Sequence, residues 1–332
     1  MQYKSVKGFS GWGQLGILLV FFGLGFILAQ AVQILIGLQM IPAGLPSDKM
    51  GEAILKAMMK RENISYARLA QVLGTFFIFF VPAALYLFIC HGKNTLWLGF
   101  NKHINGWQIL VGFFLIFFSN FIAGSLADIS KTIFTHFPGI NVMAQQLEGA
   151  YRDQVSVLSN LQSWGEFVMA LVIMAFFPAM FEEIFFRGAL QYLLVRWWKK
   201  PLIAIMITSV LFSLLHMSLY LFLSRLALGF VLGLMYQRSK NLWVNIVAHF
   251  LNNAMVLIQL FWISRHNEKI ELDKTDLNIP IWGGLVAVAI TYGLFLLFEK
   301  VSVKNRNLVA IEEQNLLDKA NAFQPFSKTR NF

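Results

Sequence analysis

Charge is what this sequence has least of. Of its 332 residues only 13% are Asp, Glu, Lys or Arg, while 57% are hydrophobic; a soluble domain carries about 25% charged residues. That ratio excludes an ordinary water-soluble fold, whose interior is too small to bury so much apolar surface. Cysteine is nearly absent as well. Cys90 stands alone inside an apolar run, which excludes an intrachain disulfide framework and a thiolate metal cluster. There is no sustained repeat, no low-complexity tract and no separate soluble domain. What is abundant is Phe, 33 residues in a chain of 15% aromatic content, which suits lipid-facing helices and interfacial belts. The expected solvent is the bilayer.

The formal net charge of +10 does not point to nucleic acid, because the basic residues sit between apolar runs rather than on one polar face or in a binding motif. Reading with a ruler of roughly 20 apolar residues per span, spans are expected near residues 15 to 38, 69 to 90, 107 to 127, 165 to 187, 202 to 223, 226 to 237, 242 to 262 and 280 to 298. The first, preceded by Lys4 and Lys7, is too long for the apolar core of a cleavable signal. The expected fold is therefore an all-α integral membrane protein of about eight transmembrane helices.

With eight spans, Lys4, Lys7, Lys93, Lys102, Arg196, Lys199, Lys200, Arg238, Lys240, Lys300, Lys304 and Arg306 fall on one side. Positive-inside bias makes that side cytoplasmic, with both termini there and the protein multi-pass in the cell membrane. Loops 128 to 163 and 264 to 279 fall opposite. So does 39 to 67, where Met50, Ile54, Ala57 and Met58 recur at the spacing of an amphipathic surface helix. Residues 188 to 198 read as an interfacial continuation of the fourth helix. Three regions result: 1–163 with the N-terminal spans and loops, 164–262 as a helical core, and 263–332 with the last span and a polar tail.

Ionisable groups inside a span cost on the order of 2.5–3.5 kcal/mol each on insertion scales and usually mark function. Here they form three helical pairs at i, i+4, and residues four apart share a helix face. They are Glu183 with Arg187, preceded by Glu182; Phe212 with His216; and His249 with Asn253. Adjacent glutamates diverge by about 100° around the axis, so Glu182 and Glu183 have different surroundings. Arg187 holds Glu183 ionised. Glu182 has no sequence-local partner, and beside a second carboxylate in a partly dry cavity it is the candidate general base. His216 is placed to orient or deprotonate water, and His249 and Asn253 to donate to an oxyanion. Each element alone has a plainer reading, as a solvated helix end, a packing histidine or a helix-packing amide. Together they are more specific. Depth is uneven: Glu182 lies 14 residues before Arg196 and His216 lies 15 after Pro201, whereas His249 is only 8 beyond Asn241.

Other intramembrane protease signatures are missing: no His-Glu-x-x-His zinc motif, no Gly-x-Ser-x-Gly elbow, and no aspartyl pair. The three pairs resemble the CPBP group of intramembrane proteases, which includes the CAAX prenyl endopeptidases and Abi-type bacterial proteins. The group's pattern of EExxxR, then FxxxH, then HxxxN is similar to Glu182, Glu183 and Arg187, then Phe212 and His216, then His249 and Asn253, over roughly residues 164 to 262. The resemblance implies endoproteolysis of a membrane-embedded or lipidated protein by glutamate-activated water. It leaves the cofactor open: the group includes members described as metalloproteases and others described as metal-independent glutamate proteases, and zinc, if used, would take Glu182, His216 and His249. Two other functions use the same residues. A transporter or proton-coupled permease would employ intramembrane Glu and His as relays, although no internal repeat supports it. A non-proteolytic membrane scaffold would keep the fold alone.

Overall fold

A computed structural model describes residues 3–158, 161–266 and 279–322; most of the expected loop at 264 to 279 and the end of the tail lie outside them. The described residues fold into ten helices: α1 (Gly11–Leu38), α2 (Ser47–Met58), α3 (Arg61–Cys90), α4 (Gly106–Thr135), α5 (Pro138–Leu158), α6 (Trp164–Trp198), α7 (Pro201–Leu215), α8 (Phe222–Ser239), α9 (Leu242–Arg265) and α10 (Ile281–Ala322). Six of them, α1, α3, α4, α6, α9 and α10, are long and apolar enough to cross a membrane. Each of the eight expected spans falls largely on one of these helices, the fifth and sixth on the shorter α7 and α8, and the chain is an all-α, multi-pass membrane protein.

Several boundaries differ from the expected ones. The spacing of Met50, Ile54, Ala57 and Met58 does form a helix, α2, but the mixed-charge stretch from 128 to 163 is mostly helix too, as the end of α4 and all of α5. The fifth expected span stops at Leu215 instead of 223. There the Ser213 hydroxyl donates to the Phe222 carbonyl at 2.7 Å, and the chain turns through Met217, at φ +53°. Residues 188 to 194 continue α6 but are buried, not interfacial.

Local chemistry sets the helix ends. Ser10, Asn105, Ser163 and Asn241 cap α1, α4, α6 and α9, each side chain accepting a backbone N–H of the first turn. Lys199 and Lys240 end α6 and α8 in the left-handed conformation, where their charge also suits the negative helix terminus. Two helices widen into turns of i→i+5 type, at Phe76–Phe80 in α3 and Leu171–Phe176 in α6. Each lies just before a proline, Pro82 or Pro178. Proline removes one backbone donor and its ring crowds the carbonyl four residues earlier, so local widening relieves the clash. A third wide turn, Ile184–Gln191, follows the two glutamates without any proline.

α6 is the central helix. Every residue from Phe181 to Leu194 is buried, against α3 and α1 on one side and α7, α8 and α9 on the other. A helix buried all round lies inside the protein, not against lipid. By contrast α1 turns Leu19, Val20, Leu24 and Ile27 outward. The last helix does not stop at the membrane. α10 runs past Lys300, and the helix docks through Glu299 to Arg238, Glu312 to His103 and Glu313 to Arg196.

Close helix approach is testable at Gly25 of α1, where an added Cβ would run into the Phe77 carbonyl of α3. Gly25→Ala is expected to lower stability in detergent by about 1–3 kcal/mol, the usual cost of overpacking. Gly23→Ala, whose added Cβ meets nothing within 4 Å, should unfold like the native protein.

Candidate active site

The polar groups of α6 and α9 meet inside the helix bundle. Glu183 is completely buried, and its Oε1 lies 3.0 Å from Arg187 Nη1, one turn along the same helix. The same oxygen is 3.0 Å from His249 Nδ1, and Oε2 accepts from the Asn245 amide at 3.2 Å. One counter-charge and two hydrogen-bond donors thus surround the carboxylate, as a buried charge requires. Arg187 reaches onward, donating to the Gly229 carbonyl of α8 at 3.0 Å while its guanidinium lies 4.8 Å from the Phe212 ring centre. Asn245 also donates to the Leu232 carbonyl at 2.7 Å.

Glu182 is placed differently. Its side chain is 12% exposed against 0% for Glu183, and its Oε2 lies 3.8 Å from His249 Nε2. The imidazole of His249 therefore stands between the two glutamates, one ring nitrogen toward each. Glu183 accepts in that contact, so Nδ1 of His249 carries its proton. His216 also carries a proton at Nδ1, for a different reason. Its Nδ1 is 2.7 Å from the Phe212 carbonyl, an acceptor, which leaves Nε2 unprotonated in the neutral ring. Phe212 packs on both imidazoles, with centroids at 4.6 Å from His216 and 5.9 Å from His249.

A family sequence model described as Type II CAAX prenyl endopeptidase Rce1-like matches residues 164–255, from the start of α6 into the first half of α9. The resemblance to the CPBP group is borne out. Among curated proteins, "Putative membrane peptidase YdiL" of Bacillus subtilis (strain 168) is 31% identical over 179 residues, 53% of this chain and 64% of the relative. "Uncharacterized protein YpbD" of the same organism is 30% identical over 113 residues, 33% of this chain and 52% of the relative. The chain spans about half to two thirds of the length of these curated relatives. No solved structure matches it at comparable significance.

The structure joins Glu182, Glu183, Arg187 and His249 directly, with Phe212 bridging to His216. Asn253, one turn beyond His249, is bonded instead to its neighbour, its carboxamide oxygen 3.5 Å from the Asn252 amide. Asn245 is the residue that sequence reasoning missed. It lies four before His249 on the same face, so the motif of α9 reads Asn-x3-His-x3-Asn and its first member was legible. Gly229 and Gly233 were missed as well. Their carbonyls accept from Arg187 and Gln191, and an added Cβ would meet Phe212 at 3.1 Å or Ile205 at 2.7 Å. The small-x3-small spacing that lets helices approach closely was the available signal.

The donor set does not fit a metal. Among the described residues no three His, Cys, Asp or Glu side chains are gathered as an ion would need, and Glu182, His216 and His249 are no exception. Their Nδ1 contacts, His249 with Glu183 and His216 with a backbone carbonyl, are ones that metal-binding histidines also make; the misfit lies in the spacing of the three side chains.

The buried ion pair gives a stability prediction. Arg187→Met leaves Glu183 without its counter-charge and should cost about 3–5 kcal/mol. Adding Glu183→Gln, which removes the stranded charge, should recover part of that loss. A double-mutant cycle of unfolding in detergent measures the difference.

Proposed function

We propose that the protein is an intramembrane endopeptidase in which Glu182 activates the attacking water. The observation that carries this reading is the His249 ring standing between the two glutamates of α6, inside the segment that matches the endopeptidase family. At 3.8 Å, Glu182 Oε2 and His249 Nε2 are beyond direct hydrogen bonding, and a separation of that size is one that a water can bridge. Such a water would lie against the one glutamate with free lone pairs.

In the proposed reaction Glu182 takes a proton from that water as its oxygen bonds to the peptide carbonyl carbon. The carbonyl oxygen becomes an oxyanion. His249, in its imidazolium form, donates from both nitrogens, to Glu183 through Nδ1 and to the oxyanion through Nε2. Asn253, on the same face of α9, supplies a second donor from its NH2 group. The peptide C–N bond then breaks, and the proton held by Glu182 passes to the leaving amine. His216, with an unprotonated Nε2, orients the water. Glu183 and Arg187 never exchange a proton; they fix the tautomer and position of His249. No step uses a metal.

The proposed substrate is a membrane-embedded or lipidated protein, in keeping with a polar cluster enclosed by membrane helices and with the matched family. The cell membrane with both termini cytoplasmic is the proposed setting, supported by the run of basic residues at one end of the helices.

Glu182→Gln keeps the shape and removes the base. It should lower turnover by about 10²–10⁴-fold, the range for loss of general acid–base catalysis, with thermal stability unchanged. Comparing membrane proteomes of cells carrying either form names the substrates as uncleaved proteins that accumulate. Full activity in the variant would overturn the mechanism, and Glu182-dependent solute flux without cleavage would replace it with transport. Asn253→Ala should cost about 10²–10³ in kcat with little change in KM, as for a lost oxyanion donor.

A further inference from the structure

At the basic end of the molecule the start of α7, the end of α8 and the extension of α10 enclose a cavity of about 450 Å³. Arg238, Lys240 and Arg306 line it, with Gln237 beside them and Leu202 and Ile205 as an apolar wall. No carboxylate is among the lining residues. The neighbouring acids are Glu299 and Glu313. Glu299 meets Arg238 at 2.7 Å and Arg306 at 3.8 Å, so one carboxylate serves two guanidinium groups. Glu313 is engaged by Arg196 and Tyr192. Lys240 donates to the neutral Gln237 side chain at 2.9 Å, and Arg238 Nε is buried without a hydrogen-bond partner. Positive charge is therefore in excess around a space open to a ligand.

Two further features fit that excess. α7 begins at Pro201 with no side-chain cap, so its first-turn N–H groups and the positive end of its dipole add to the field. From the same point Leu202, Ile203 and Met206 are exposed on α7, which gives an apolar track leading away from the cations.

The geometry points to a binding site for a phosphate-bearing anion, with the phosphate held by Arg238, Lys240 and Arg306. The adjoining apolar face of α7 favours an anionic phospholipid, whose acyl chain lies along it. Basic pockets between membrane helices take such head groups. None of the Glu182–His249 cluster takes part, so the test does not depend on proteolysis.

The full chain purified in detergent is titrated with palmitoyl-oleoyl phosphatidylglycerol, with the matching phosphatidylcholine and with inorganic phosphate, and bound species are counted by native mass spectrometry. Phosphatidylglycerol should bind about tenfold or more tighter than phosphatidylcholine, each basic side chain contributing about fivefold. Arg306→Gln leaves the Arg238–Glu299 pair intact and should weaken phosphatidylglycerol by about fivefold. Lys304→Gln, on the same extension outside the cavity, should leave it unchanged. Displacement of the lipid by excess phosphate assigns the cavity to the free anion, and failure to displace assigns it to the lipid. Equal binding of the two lipids, or unaltered binding in Arg306→Gln, overturns the proposal.

Discussion

A carboxylate sealed inside a membrane protein has to be neutralised by its immediate neighbours, and the packing of four helices follows from that requirement at Glu183. Arg187 supplies the counter-charge from the next turn of α6. Arg187 in turn must satisfy its own donors, and one goes to the Gly229 carbonyl, which draws α8 against α6. Gln191, one turn further on, repeats the contact at Gly233. Asn245 binds Glu183 and the Leu232 carbonyl together, which locks α9 to both. α7 closes the arrangement by laying Phe212 over the Arg187 guanidinium. One buried charge thereby ties α6, α7, α8 and α9 together, and the glycines of α8 let their carbonyls be reached at short range.

This arrangement separates two adjacent and chemically identical side chains. Glu183 accepts hydrogen bonds from His249 and Asn245 and is ion-paired with Arg187, so a proton there would displace part of the network. Glu182 points to the more open side and meets only the far nitrogen of His249. The difference arises from a rotation of about 100° between neighbours on a helix. Sequence adjacency is therefore what gives one residue the structural role and leaves the other for the proposed chemistry.

Much of this was legible because helical pairs are local. Glu183 with Arg187 needs only the 3.6-residue period, and the structure brings the two to 3.0 Å. The eight apolar runs were equally readable, since span length is set by bilayer thickness. What was not readable depends on contacts between distant segments. α5 carries mixed charge and looks like a loop, yet it is ordered where Ser218 donates to Glu148 and Tyr220 to Asn141. The burial of 188 to 194 follows from α3, α7 and α8 surrounding α6, not from its own composition. Two of the wide turns have a proline as their sequence mark, whereas the third, at Ile184–Gln191, has none. Asn245 differs from these: it carries the same four-residue mark one turn before His249, but its pairing with Glu183 is a contact between distant segments.

The same network distinguishes the two histidines. Each imidazole is fixed through Nδ1, but by partners of different charge. His216 gives its proton to a neutral backbone carbonyl, so nothing there rewards a second proton. His249 gives its own to the Glu183 carboxylate and has a second carboxylate near Nε2. The proposed division of labour follows from that difference. A ring held by a neutral acceptor is suited to orient water as a lone-pair acceptor, and a ring held between two anions is suited to donate to an oxyanion.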